Sequence, residues 1–216
     1  MTTQALHPDH LQPGHTVGPW RIVQELGRGG FSRVFKVERE GVFYSLKMAL
    51  RPLSLFREEL SEDEYVEEKS AYRRLAREAA ALFTYSSHPN LLRVYAMDFW
   101  PDPTRGYPFL VTDYVDGDDW HRWRWRKPRH AAELVDTFGD VVRTVGVLHA
   151  RGVYHRDLKA ENLLIRRADG QALPHRLRHR APAGDPHEDH GTARGHPAPG
   201  ASRAPGLHAH RGVEAP

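Results

Sequence analysis

The stretch that most constrains this 216-residue chain is His155-Arg156-Asp157-Leu158-Lys159-Ala160-Glu161-Asn162, with the apolar run Leu163-Leu164-Ile165 directly behind it. It reads as a polar loop delivered into a short buried strand: an acid, a cation two residues on, and a carboxamide three residues beyond that. Phosphoryl transfer draws on this set. A carboxylate accepts the proton of an attacking hydroxyl, an ammonium neutralises charge on the moving group, and an amide oxygen helps hold Mg2+. The same residues would also serve as an ordinary surface loop between a helix and a strand, so their weight depends on the upstream segments.

Upstream, a strand is expected from Trp20 to Leu26, followed by Gly27-Arg28-Gly29-Gly30-Phe31-Ser32-Arg33-Val34 and a further strand through Phe35-Lys36-Val37. Glycines there let backbone N–H groups approach a triphosphate, with Val34 over one face of a purine, although a plain hairpin turn has the same composition. The order strand, Gly-rich turn, strand differs from the strand-to-helix setting of a dinucleotide site. Gly41 then turns the chain into Val42 to Ala49, whose alternation suggests a strand with Lys47 facing the site; a lysine in such a strand can equally snorkel to the surface. Residues 61 to 85 predict a helix with Tyr65, Tyr72, Leu75, Ala79 and Leu82 near one face. Pro89 ends it before a strand from about Leu91 to Phe99, and Pro108 to Gly117 reads as another strand. Trp120 to Arg129 interleaves aromatic and basic residues. That pattern can stack on bases, lie on an acidic membrane or touch a substrate peptide; the better account is a short amphipathic helix with Trp120 and Trp123 packing together and the arginines in water. From Ala131 to Ala150, Leu134, Val135, Phe138, Val141, Val142, Val145 and Leu148 fall at helical spacing, which predicts a buried helix stopped by Gly152.

In this order, and with the octapeptide at their end, the segments from about Trp20 to Ile165 resemble a eukaryotic-type Ser/Thr protein kinase of the kind bacteria also carry. The resemblance implies an α+β two-lobe fold. Residues 20–116 would be the small lobe, an antiparallel sheet plus one helix, and 117–168 the start of an incomplete helical large lobe that includes the catalytic loop. It implies transfer of the γ-phosphate of ATP, with Mg2+, to Ser or Thr hydroxyls of a protein substrate. Asp157 would be the base, Lys159 would neutralise the phosphoryl group and Asn162 would hold the metal. ATP would be held by Gly27, Arg28, Gly29, Gly30, Phe31, Ser32 and Val34, by Lys47 paired with Glu78, and by backbone groups of Asp113 and Val115 beside Thr112 as gatekeeper. Glu67 or Glu68 could compete with Glu78, because the gap from Lys47 is long and requires an insertion around Arg51 to Glu62. Ser32 stands where the family has its third glycine, and Ser45 where Ala is usual.

The resemblance then stops. Past the Asp169-Gly170 turn it requires Asp-Phe-Gly, whose Asp makes the main metal contact, and the sequence has none. From Gln171 to Pro216 there is no aromatic residue and no Lys, Ile, Met or Asn. So little apolar bulk does not offset an ordering entropy of about 1–2 kcal/mol per residue, so 169–216 is expected to be a disordered tail. His175 to Arg180 can be encoded by CAT CGA CTT CGG CAT CGC, which read one base later gives Ile-Asp-Phe-Gly-Ile. This suggests a one-base frameshift between about Asp169 and His175, with the tail's histidines as codon products rather than metal ligands. Residues 1–19, rich in His, Pro and Gly, are expected to be a flexible leader. Lacking Asp-Phe-Gly and the helices that would cover Leu134 to Leu148, the chain as written is expected to be an inactive kinase; the alternative is a pseudokinase-like ATP-binding or scaffolding protein.

Composition narrows the setting. There is no Cys, the formal charge is +3, and no apolar run approaches the roughly 20 residues that cross a bilayer. The expectation is a cytoplasmic protein of bacterial type with no membrane segment and no nucleic-acid partner, its basic runs being solvated faces; oligomeric state is left open.

Overall fold

Period-two alternation builds the first layer. In the computed structural model, which describes residues 7–54, 61–85, 88–150, 154–155 and 158–175, seven strands form one antiparallel sheet: β1 (Thr16–Val17), β2 (Trp20–Arg28), β3 (Ser32–Arg39), β4 (Val42–Ala49), β5 (Leu53–Ser54), β6 (Val94–Trp100) and β7 (Arg105–Asp113). The order is β1-β2-β3-β4-β7-β5, with β6 also paired to β7. Residues 39 and 42 pair across the β3–β4 turn, leaving Glu40 and Gly41 as a two-residue loop with φ of 54° and 79°. A glycine at the second of these sites removes half the strain of such a turn.

One face of the sheet is a core of Trp20, Ile22, Phe35, Val37, Leu46, Met48, Phe109 and Val111. Helix α1 (Glu62–Thr84) buries Leu75, Ala79, Ala81 and Leu82 against Leu91, Leu92 and Leu110. A second, three-stranded sheet comes next, in the order β10-β9-β8, from β8 (Gly117–Asp119), β9 (Leu163–Arg166) and β10 (Ala172–Pro174). Two helices accompany it: α2 (Trp120–Arg126), capped by the Asp119 carboxylate on the Arg122 N–H, and α3 (Ala131–His149). Trp123, Val141, Val145, Leu163, Ile165 and Ala172 form the core beneath them.

Three expectations need correction. The leader reading of 1–19 fails for residues 7–19. Leu11 is 4% and Val17 0% exposed in the same core as Trp20 and Phe35, and β1 pairs with β2. Pro8 is buried too; its carbonyl accepts from the Arg33 guanidinium, and Asp9 binds Arg28 at 3.0 Å. Two isolated apolar anchors have no periodicity, so composition hid them. Likewise the tail does not begin at 169: Asp169 ties to Arg166 at 2.8 Å, and Ala172 and Leu173 are buried in a ladder in which Pro174 pairs with Leu163. Residues 1–6 and 176–216 lie outside the described residues. Finally, α3 is buried along one side only, by Val141, Val145 and Leu148, while Val135, Phe138 and Val142 are exposed.

Leu11→Ala should lower the unfolding free energy by about 2–5 kcal/mol in urea denaturation, as for a core leucine; a loose leader would show no change. The Arg33 guanidinium also hydrogen-bonds the Glu25 carboxyl, which lowers that group from its ordinary 4.5. A carboxyl depressed by folding stabilises the fold above its unfolded pKa, and that contribution is lost as pH falls through the lower folded value. Glu25→Gln should therefore flatten the acid limb of stability below about pH 4.5, measured by melting across pH.

Candidate functional site

The same alternation that buries Leu46 and Met48 turns Ser45 and Lys47 to the other side of β4. On α1, Glu78 lies three residues after Leu75 and four before Leu82, so it flanks the buried stripe. The two side chains meet there as an ion pair, Lys47 Nζ on Glu78 Oε2, both largely withdrawn from solvent at 21% and 14% exposure. In such surroundings the attraction is stronger than in water, and it holds an otherwise mobile ammonium at one point. Among the described residues Lys47 pairs with no other carboxylate. The Glu67 side chain lies outside the described residues, and Glu68 is buried.

The pair faces a cleft of about 400 Å3. One wall is the end of β2, the turn after it and the start of β3, from which Gly27, Arg28, Gly29, Ser32 and Val34 line the space. The turn is stitched by the Gly29 N–H to the Ser32 carbonyl at 2.8 Å, and the Leu50 N–H donates to the Phe31 carbonyl at 3.0 Å. Gly30 and Phe31 do not line the cleft. Phe31 points outward at the tip, 62% exposed, with the Arg74 guanidinium of α1 4.4 Å from its ring centre.

The back wall is β7 and its exit, with Leu110, Thr112, Asp113, Tyr114 and Val115. The N–H of Asp113 donates to the Arg93 carbonyl at 3.2 Å, so a hydrogen bond from this residue to a ligand edge would come through its carbonyl. Its carboxylate accepts from the Arg93 N–H at 2.7 Å and from the Tyr95 hydroxyl at 2.8 Å. That acceptor, with burial, pushes the Tyr95 phenol above its ordinary value. Gly117 is then forced by contact. A Cβ there would lie 2.2 Å from the Ile165 carbonyl oxygen, so only glycine lets β8 lie against β9.

The floor comes from the end of the octapeptide and the segments after it. Glu161, Leu164 and His175 line the cleft. Asn162 is fully buried, its N–H on the Lys159 carbonyl at 2.9 Å, and Lys159 is exposed. The His175 N–H donates to the Asn162 carbonyl at 3.0 Å, and the buried His155 ring meets the His175 carbonyl through Nε2 at 2.9 Å. These bonds bind the end of β10 to the loop. Asp157 and Arg156 lie outside the described residues. Lys47 and Glu78 thus share one cleft with Glu161, immediately before Asn162 in the chain.

Sequence reasoning missed Leu26, Leu92, Leu164, Glu161, Arg122 and His175 among the lining residues. Leu26 and Leu164 carried a signal in strand alternation. His175 carried none, because the Ala, Pro, Gly, His and Arg composition of the downstream tail concealed the strand that ends beside it. The cleft suits a nucleotide: apolar walls at Val34, Leu110 and Leu164, a fixed ammonium, and a glycine turn along one side. Asn162, the expected Mg2+ ligand, is fully buried and is not among the residues lining the cleft, and the described residues hold no group of three or more His, Cys, Asp or Glu.

Comparison with known proteins accords with this geometry. The protein kinase domain family matches residues 20–177. The chain is 29% identical over 161 residues to serine/threonine-protein kinase Pkn1 of Myxococcus xanthus, covering 74% of this chain and 21% of that protein. It is 29% identical over 163 residues to a probable serine/threonine-protein kinase, PkwA, of Thermomonospora curvata, covering 74% and 20% respectively. The chain therefore spans about a fifth of the length of these relatives. A solved structure described as the apo form of PpkA-294 superposes with a TM-score of 0.59 at 19% identity, over 76% of this chain and 60% of that one, which shows the shared fold. The chain belongs to the protein kinase domain family.

Gly117→Ala should destabilise the protein by about 1–3 kcal/mol in chemical denaturation, because the methyl meets backbone that no side-chain rotation can relieve.

Proposed function

We propose that this member of the protein kinase family holds ATP in the cleft between its two sheets, and that the reaction served by its site is transfer of the γ-phosphoryl group to a Ser or Thr hydroxyl of a protein. The observation that carries the reading is the ion pair of Lys47 with Glu78, set in one cleft with Glu161 of the octapeptide and Leu164 just after it. In this reading Lys47, held by Glu78, takes the α- and β-phosphates, and Gly27, Arg28, Gly29 and Ser32 enclose the triphosphate. Gly30 and Phe31 close the turn from outside. Val34 and Leu164 sandwich the base, and its edge meets backbone groups of Asp113 and Val115. Asp157 accepts the hydroxyl proton and Lys159 neutralises charge on the moving phosphoryl group. When bound, Mg2+ would neutralise phosphate charge, with Asn162 as its ligand in this chain.

Residues 20–116 form the small lobe in this reading and 117–175 the described part of the large one. The tail is read as out of frame, entering near His175, since β10 pairs in register up to Pro174 and the family match runs to 177. The coding DNA decides this: a codon other than CTT at Leu177 removes the Phe of the restored Asp-Phe-Gly.

A second reading, ATP binding without catalysis, is favoured by one observation: where β10 leaves the small sheet beside Asn162 the chain places His175, and no Asp-Phe-Gly comes after it. Both readings have the same first test. ATP should raise the melting temperature of the chain, and Lys47→Met should remove most of that shift, since a site at 100 times Kd gains about 2.7 kcal/mol of stability. No shift in the parent overturns nucleotide binding. The chain as written is expected to show no phosphate transfer to a Ser/Thr peptide; turnover that is abolished by Asp157→Asn would establish catalysis over the second reading.

A further inference from the structure

We propose that α2 is a docking surface for an acidic polypeptide segment at the lip of the cleft, an inference that rests on the protein-phosphorylating reading of that cleft. From Trp120 to Ala132 there are five Lys or Arg residues and no carboxylate. The helix turns two of its tryptophans inward: Trp120 and Trp123 lie 5.4 Å apart, and Trp123 is buried. The third, Trp125, is 76% exposed. A solvent-facing indole costs hydrophobic stabilisation that an inward position would have provided, and tryptophan and arginine are the residue types that most often anchor protein partners.

The charges around the helix are arranged unevenly. Asp119 lies 3.5 Å from Arg122, Asp118 takes Arg126 at 3.0 Å, and Glu133 takes Arg129. Asp116 takes Arg167 at 2.6 Å, and Glu161 lies 3.8 Å from the His121 ring. Each of these carboxylates has a cation beside it. Arg124, directly before Trp125, and Lys127, two residues after it, pair with no carboxylate among the described residues and are both exposed. Arg124 instead lies 5.5 Å from the Trp125 ring centre. The result is an indole with two outstanding cations, a surface that fits carboxylates presented on an extended chain.

Its position gives that chemistry a use. Helix α2 packs against the 160–162 turn and β9, and Arg122 lines the cleft itself. Seven helical residues span about 10 Å, which three or four residues of extended chain would cover, so a substrate could lay acidic residues along α2 with its hydroxyl in the cleft. A nucleic acid is a poorer fit, because two of the three indoles are turned inward and leave a single ring for stacking. A bilayer is poorer still, since α2 offers one exposed apolar side chain rather than an apolar face.

The test is a fluorescence anisotropy titration of the full chain with three labelled twelve-residue peptides carrying one Ser and five Asp, five Asn or five Lys. A thymidylate dodecamer is run beside them. The Asp peptide should bind at least about tenfold tighter than the Asn peptide at low salt, with the preference shrinking as salt rises. Arg124→Glu together with Lys127→Glu should abolish the preference, and Trp125→Ala should weaken the Asp peptide while leaving the ATP-induced melting shift intact. Arg124→Gln with Lys127→Gln serves if charge reversal impairs folding. Equal binding of the Asp and Asn peptides, retention of the preference in the charge variants, or tighter binding of the oligonucleotide would each overturn the proposal. Charge-selective binding without an ATP shift would overturn the kinase reading and leave the surface. An ATP shift without charge-selective binding would do the reverse.

Discussion

The contact on which the rest of the site depends is the ion pair between Lys47 and Glu78. It joins β4 to a helix whose leucine and alanine stripe packs on Leu91, Leu92 and Leu110, and a seam of leucine and alanine does not by itself fix a helix in rotation. A charge pair at low exposure does, because moving either partner away would leave a half-buried charge without compensation. The register of β3 on β4, with Val34 opposite Lys47, then sets the glycine turn above the ammonium. The site's upper half is thus held by one ladder and one ion pair.

The lower half is fixed by backbone. Gly117 lets β8 touch β9 at a distance that no side chain would permit, and Pro174 closes β10 on Leu163. His155, Asn162 and His175 then bind loop to strand through two main-chain acceptors. Because these bonds use carbonyl groups, they ask little of the side chain at 175. Histidine there is compatible with the geometry, and residue identity at this position reports on the chemistry of the cleft rather than on the fold.

Much of this was legible in the residues. The alternation from Val42 to Ala49 placed Lys47 on the face away from Leu46, and the stripe from Tyr65 to Leu82 placed α1 at 62–84. The pairing of Trp120 with Trp123 and the turn at Gly41 were equally open to reading. The elements that escaped did so for physical reasons. Leu11 and Val17 are lone anchors between polar residues, and burial through single side chains has no period to detect. Ala172 and Leu173 adjoin a stretch whose average composition argues for disorder, so a window average erased a real strand. On α3 the apolar positions wrap around more of the helix than one packed side can cover; spacing reported helicity correctly and burial incorrectly.

The segment from Pro8 to Val17 carries a consequence for where this domain starts. The family-wide match opens at Trp20, yet here Pro8 and Asp9 hold the two arginines that flank the glycine turn, and Leu11 and Val17 complete the core under β2 and β3. A fragment trimmed to the shared boundary would begin with an open apolar groove beside its first strand and with Arg28 untethered at the rim of the cleft. In this chain the folded unit therefore extends upstream of the matched residues, and that margin touches the glycine turn at the rim of the cleft.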